Sequence, residues 1–506
     1  MYNNPKLWSG AALILSLSTS NATSAQEAKA TDRKPANILF VISDQLSWQA
    51  IETYGDRSGS TPTVDSLGRN GVAFSQAYTV VPLSMPARAS LWSGLYPHTT
   101  GIESNGRNWQ NSEFSDDLHT MGSIFSENGY ECVHFGKMHD GGALRGFECA
   151  DETMEIKVPN EFENYPLTYD SYRDIYTTRE SVKYLLSTKG KEDPFFCVVD
   201  LNNPHNICDY IGAHQGEHTN PDKPEYQGVL PELPSNFVDP YAAERPHPVQ
   251  YLCCSHIRQS QTSEWNQENY QHYLAAYYYY ANRMDKDLAT VLDALRQSGH
   301  ADNTLIVFMA DHGEGMASKR MVTKQGTPYD QTTRVPLIFF GKGVKQSDKL
   351  IDKPIVNVSI DMIPTLCEYA GIDTPRTMPG VSQFGWIAGT QKRDTREYIC
   401  TEWTTEWGYT VSPFRMIRSH DYKYIKYLEC GDEELFDMNN DPDELINLAD
   451  DKKYSKVLKK HRDYLAEHIE QTNDNFYLRE VYWNPEGAQH QAGYHNHTGP
   501  AIPQMK

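Results

Sequence analysis

Five apolar runs of strand length, none of them alternating apolar with polar, constrain this chain more than any other feature. They are Asn37 to Ser43 (NILFVIS), Glu131 to Phe135 (ECVHF), Pro194 to Leu201 (PFFCVVDL), Asn303 to Ala310 (NTLIVFMA) and Val335 to Phe340 (VPLIFF). A strand with one wet face alternates, whereas a run that is apolar throughout belongs to a strand covered on both faces. Helical patterns lie between the runs: Leu118 to Asn128 before Gly129, Arg173 to Leu186, and Asn269 to Gln297 before Gly299. Strand alternating with helix predicts an α/β fold, a large and mostly parallel sheet sandwiched by helices. After about residue 392 the pattern changes. Short strands are expected at Met416 to Ser419, Tyr422 to Tyr427 and Glu434 to Phe436, then an amphipathic helix over Lys453 to Glu470. The expected organisation is a main domain over 26–392 and a smaller C-terminal α+β subdomain over 393–506, built on an antiparallel sheet.

The first 25 residues read as an export signal. Lys6 supplies the positive start, Leu7 to Ser18 the apolar stretch, and Ala22 to Ala25 the small residues for cleavage. A periplasmic or extracellular location is therefore expected. No apolar run is long enough for a transmembrane segment. Lys plus Arg is 46 against 67 for Asp plus Glu, a net charge of −21. That balance argues against a nucleic-acid partner. An anionic substrate would need a local positive site working against the field of the whole chain. Nine cysteines without a CxxC spacing, two of them adjacent at Cys253-Cys254, do not make a disulfide framework. His490, His495 and His497 fall in a polar C-terminal tail and read as solvated surface.

Four of the five runs end in a polar cluster: Asp44-Gln45, Lys137 with His139, His205, and Asp311-His312. Ligands of open parallel sheets bind outside the carboxyl ends of the strands, so these residues are expected on one rim. The oxygen donors suit a hard cation such as Ca²⁺ or Mg²⁺, while His312 pulls toward a transition metal. Lys137 among histidines suits an oxyanion clamp. A further feature is Ser84-Met85-Pro86-Ala87-Arg88. Pro86 fits the first turn of a helix, whose N-terminus favours an anion. Arg88 would lie on the same face as Ser84. The plainer alternative makes Ser84 an ordinary N-cap.

Here the chain resembles the sulfatase family. Ser84-Met85-Pro86-Ala87-Arg88 with Trp92-Ser93-Gly94 is similar to the serine-type form of its signature. Thr61 to Leu67, Gly71 to Phe74, Gly136-Lys137-Met138-His139, Pro204-His205, Asp311-His312-Gly313-Glu314 and Glu434 to Asp437 resemble other family segments in order, as do Asp441 to Glu444 and Asn447-Leu448. The resemblance implies an alkaline phosphatase-like fold and a sulfuric ester hydrolase. It implies oxidation of Ser84 to Cα-formylglycine (3-oxoalanine) by a maturation enzyme. It implies a Ca²⁺ site of Asp44, Gln45, Asp311, His312 and the modified Ser84. Gln45 stands where Asp is commoner, which removes a charge from the cage. Arg88 is implied to hydrogen-bond the aldehyde hydrate, and Lys137 and Lys324 to hold the sulfate. A hydrate oxygen would attack sulfur, His205 would protonate the leaving alcohol, and His139 would take the remaining hydroxyl proton.

The substrate class implied by analogy is a sulfated carbohydrate of host or algal origin. Asn105 is a candidate sugar contact, beside Glu103, Arg107, Asp140, Asp209, Trp403 and Trp407. Two other readings stay open on the residues: a phosphate or phosphonate monoester hydrolase, and a non-catalytic sulfated-glycan binder if Ser84 is never oxidised.

Overall fold

The computed structural model describes residues 36–479 apart from 57, 107–110, 150–168, 214–228, 247–261, 263–264, 323, 325, 392, 394–395, 405–412 and 429–430. The export signal, Arg107, Cys253-Cys254, Trp407 and the histidine tail lie outside the described residues. The strands are β1 (Asn37–Ser43), β2 (Val72–Ala73), β3 (Ala77–Tyr78), β4 (Glu131–Gly136), β5 (Glu148–Cys149), β6 (Phe195–Leu201), β7 (Thr304–Ala310), β8 (Leu337–Gly341), β9 (Val356–Asn357), β10 (Tyr398–Trp403), β11 (Phe414–Ser419), β12 (Tyr422–Tyr427) and β13 (Glu433–Asp437).

Seven of them form one sheet in the order β2-β8-β7-β1-β6-β4-β5. All five predicted runs are strands of this sheet. β1 runs parallel to both β6 and β7, and β4 runs parallel to β6 and β5. β1, β6 and β7 are buried at every position, as unbroken apolar runs require. β8 departs from the parallel pattern and pairs antiparallel with β7. The physical reason is the connection. Among the described residues of 311–336 the helices are single turns, Ser318–Arg320 and Asp330–Thr333, so no long helix crosses a face of the sheet to bring β8 back parallel. The chain leaves β7 at the rim and re-enters the sheet from the same side.

The helices end where their caps dictate. Thr120 and Ser123 form a capping box at the head of Met121–Glu127. Asn266 and Asn269 form another at the head of Gln267–Ser298, which stops at Gly299, with φ +85°. That long helix packs against Tyr169–Ser187.

The C-terminal sheet has the order β10-β11-β12-β13, antiparallel throughout. One face packs Cys400, Ile417, Tyr424 and Leu435 against Leu458, Tyr464 and Leu465 of the helix Ser455–Thr472. The other face packs Ile399, Trp403, Met416 and Ile425 against Val80, Val81, Leu83 and Ala87. The C-terminal sheet thus buttresses the segment that delivers Ser84. Trp403, a candidate sugar contact on sequence grounds, is 1% exposed in this core. Its bulk fills the gap between sheet and segment, so it offers no face to a sugar.

Candidate active site

Register sets the rim. Ser43 at the end of β1 lies level with both Leu201 of β6 and Ala310 of β7. The Asp44 N–H donates to Leu201 O at 3.0 Å and the Lys137 N–H to Asp200 O at 3.1 Å. Asp44, Lys137, Asp200 and Asp311 therefore leave the sheet along one edge.

Ser84 opens the helix Ser84–Ser93, but as its first helical residue; the N-cap is Leu83. Its hydroxyl is free of any capping role and lies 3.0 Å from His312 Nε2. Asn105 Oδ1 accepts the Met85 N–H at 3.1 Å, so this candidate sugar contact also holds the head of the helix. Arg88, one turn on and fully buried, donates Nε to Asp311 Oδ2 at 3.1 Å, Nη2 to Asp44 Oδ2 at 3.2 Å, and Nη1 to Asp200. Lys137 Nζ donates to Asp44 Oδ2. Lys324 Nζ donates to Gln45 Oε1 at 2.5 Å and lies 4.0 Å from Asp44 Oδ1.

This geometry suits a cation. Asp44, Asp311 and His312 present ligand atoms within 4.8 Å of one another. Asp44 Oδ1 is buried and accepts no hydrogen bond from the described residues. Burial pushes the Asp44 carboxyl up, but Lys137, His205, Lys324 and Arg88 outweigh it and hold the group well below the usual carboxylate range. An ionised carboxylate with an idle buried oxygen fits a hard divalent ion.

His139 has φ +41°, and its Nδ1 is buried with no hydrogen-bond partner among the described residues. Burial, then the charges of Lys137 and Arg88, push its pKa down to about 3, so the ring is neutral. His205 follows the cis peptide bond Asn203-Pro204, and its N–H donates to Asn202 O at 2.9 Å. It lies close enough to Asp44 to help hold that carboxyl low.

Three buried residues to which the sequence motifs assign no role complete the arrangement. Asp200 grips Arg88; an Asp inside the apolar run FFCVVDL was the signal. Glu314 accepts from Gln45 Nε2 and from Tyr273 OH. Asp174 accepts the N–H groups of Asn202 at 2.6 Å and Asn203 at 2.8 Å, and Asn203 Nδ2 at 2.7 Å, so it fixes the loop that carries His205. Two other sugar candidates have structural work. Asp140 accepts the Leu144 N–H within its own turn, and Glu103 pairs with Arg479 at 3.0 Å. Asp209 lies in the first turn of Ile207–Ala213, directly after His205.

A second cluster, His98, Glu402 and Asp474, also has ligand-like spacing. It is already satisfied as an ion network. His98 Nδ1 lies 2.7 Å from Glu402 and Nε2 3.2 Å from Thr472 O, so both ring nitrogens face acceptors. Arg415 holds both Asp474 oxygens, at 2.6 and 2.9 Å.

Residues 36–372 match the family model described as Sulfatase. Residues 315–471 match one described as the C-terminal part of N-sulphoglucosamine sulphohydrolase. The chain is 43% identical, over 94% of its length and 97% of the relative's, to a Δ4,5-hexuronate-2-O-sulfatase of Bacteroides thetaiotaomicron. A solved 2-O GAG sulfatase superposes with TM-score 0.82 at 42% identity, covering 92% of this chain and 99% of that one. A phosphonate monoester hydrolase of Agrobacterium radiobacter shares the fold, with TM-score 0.68 at 21% identity over 88% of this chain and 97% of that one.

Proposed function

The chain belongs to the sulfatase family, and from that premise we propose that it removes an O-sulfate from a carbohydrate, specifically the 2-O-sulfate of a hexuronate. The observation that carries this reading is the meeting of Ser84, Arg88, Lys137, Lys324 and His312 on one rim, in a chain so similar to a hexuronate 2-O-sulfatase.

A sulfate monoester is anionic, so a nucleophile approaches it against charge. Lys137 and Lys324 supply fixed positive charge at the rim, where the ester's oxygens would bind. A Ca²⁺ held by Asp44, Gln45, Asp311 and His312 would add Lewis-acid charge there. Oxidised to formylglycine, residue 84 would present a geminal diol, one hydroxyl for attack on sulfur and the other for later release of sulfate. Arg88 is pinned by three carboxylates and is the donor that fixes the diol's orientation. His205 holds the proton for the leaving alcohol. His139, neutral because of burial and Lys137, accepts the proton of the remaining hydroxyl at residue 84.

The test is a panel of unsaturated disaccharides carrying single 2-O, 6-O or N sulfates, with a phosphate monoester as control. Sulfate release confined to the 2-O compound is expected. Release from another position overturns the sugar assignment, and faster turnover of the phosphate ester overturns the reaction class. Chelation should abolish turnover, and added Ca²⁺ should restore it. Ca²⁺ should also raise the thermal midpoint, since saturation to 100 times Kd adds about 2.7 kcal/mol to the folded state. Unchanged kcat in exhaustively stripped enzyme would mean the cage is misassigned. Export by the N-terminal segment is part of the same proposal, and sequencing the mature N-terminus after secretion checks it.

A further inference from the structure

We infer that Glu314 is a positioning residue that turns the Gln45 amide so that its oxygen faces the cation site, and that it returns to the site the negative charge Gln45 lacks. The inference rests on the cation reading given above.

An amide offers an acceptor at one end and donors at the other, and the two ends have nearly the same shape. A glutamine in a cation cage is useful only if the oxygen points inward. The partners of Gln45 decide this. Glu314, fully buried, is an acceptor and takes Nε2. Lys324 Nζ is only a donor and takes Oε1 at 2.5 Å. Cys208 Sγ lies 3.6 Å from Nε2 and 3.7 Å from Oε1, so it does not discriminate. In the flipped amide Oε1 would meet the Glu314 carboxylate and Nε2 the Lys324 ammonium, so both partners favour the observed orientation and Glu314 alone rewards the amide's donor end.

The rest of Gln45 is held as firmly. Its backbone sits at φ +67°, a conformation that costs a non-glycine residue free energy and must be over-determined by its surroundings. Its N–H donates to Asp311 Oδ1 at 3.0 Å, and its carbonyl accepts Tyr277 OH at 2.6 Å. Tyr273, one turn earlier on the helix Gln267–Ser298, donates its hydroxyl to Glu314 Oε1 at 2.8 Å. One face of one helix therefore fixes both the backbone of Gln45 and the carboxylate that sets its amide.

The experiment is calorimetric titration of the cation-stripped full chain with CaCl₂, with thermal unfolding as a check on folding. Glu314→Gln keeps the shape but lets either end of both amides face the other. It should weaken Ca²⁺ binding about 10–100-fold, the usual cost of losing a partner that orients a metal ligand. Glu314→Gln with Gln45→Glu exchanges donor and acceptor at constant shape and should recover wild-type affinity within about threefold. Equal Ca²⁺ affinity in wild type and folded Glu314→Gln overturns the inference and leaves the cation site standing. A wild-type protein that binds no Ca²⁺ overturns both. Should Glu314→Gln alone fail to fold, the exchanged pair decides: folding with Ca²⁺ binding supports the inference, and failure of either overturns it.

Discussion

Protein made in a host whose only converting system acts on cysteine will carry unmodified Ser84 and will not turn over sulfate esters, whereas Ser84→Cys made in the same host will. Ser84 is 1% exposed, with His312 Nε2 at 3.0 Å. A plain serine there could accept sulfate at most once. Its ester would then need a second displacement by water, at a buried position that water reaches poorly. A residue-84 aldehyde hydrate would avoid that problem, because its second hydroxyl can lose its proton and re-form the aldehyde as the sulfate leaves. The measurement pairs turnover with the mass of the peptide containing residue 84, which falls by two hydrogens when serine is converted. Full activity from a peptide of unmodified mass would end the formylglycine mechanism for this chain.

His205→Ala should cost about 10²–10⁴ in rate on a sulfated sugar, the usual loss on removing a positioned general acid. A sugar alkoxide is a poor leaving group and needs a proton as the bond to sulfur breaks. A nitrophenolate does not, so the loss on an activated aryl sulfate should be far smaller. His139→Ala should slow both substrates alike, because it acts after the alcohol has gone. Pre-steady-state kinetics separates the two: a burst of alcohol survives in the His139 variant and vanishes in the His205 variant. Equal losses on both substrate types for His205→Ala would show that it binds sulfate without donating the proton.

The sequence was most readable where chemistry and periodicity coincide. Unbroken apolar runs announced the buried strands, and the polar residues at their ends announced the rim, because a parallel sheet puts those ends on one edge. What it hid is what acts through space. Asp200 and Glu314 touch Arg88 and Gln45 from 112 and 269 residues away. Asp174 works through backbone N–H groups, which leave no mark in a sequence. β10 carries no clear strand signal because Tyr398–Trp403 mixes Thr401 and Glu402 with apolar residues, although both are fully buried. Glu402 is tolerated there because His98 and Arg415 reach it from other elements. The direction of β8 was likewise set by its connection and not by its own residues.

The two-sided ladder on β1 has a consequence for how such a protein can diversify. β1 is gripped by β6 and β7 at every residue from Ile38 to Ser43. Groups that leave at those strand ends inherit a spacing that no surface loop can disturb. Sugar preference, if it resides in connecting segments, is then free to drift by insertion and substitution without retuning the chemistry. A descendant could acquire a new glycan while keeping the same catalyst, and an engineer could graft loops between relatives on the same terms. The converse also holds: a substitution that shifts β1 by one residue would scramble every catalytic distance at once, so lineages should explore sugars widely and strand register hardly at all.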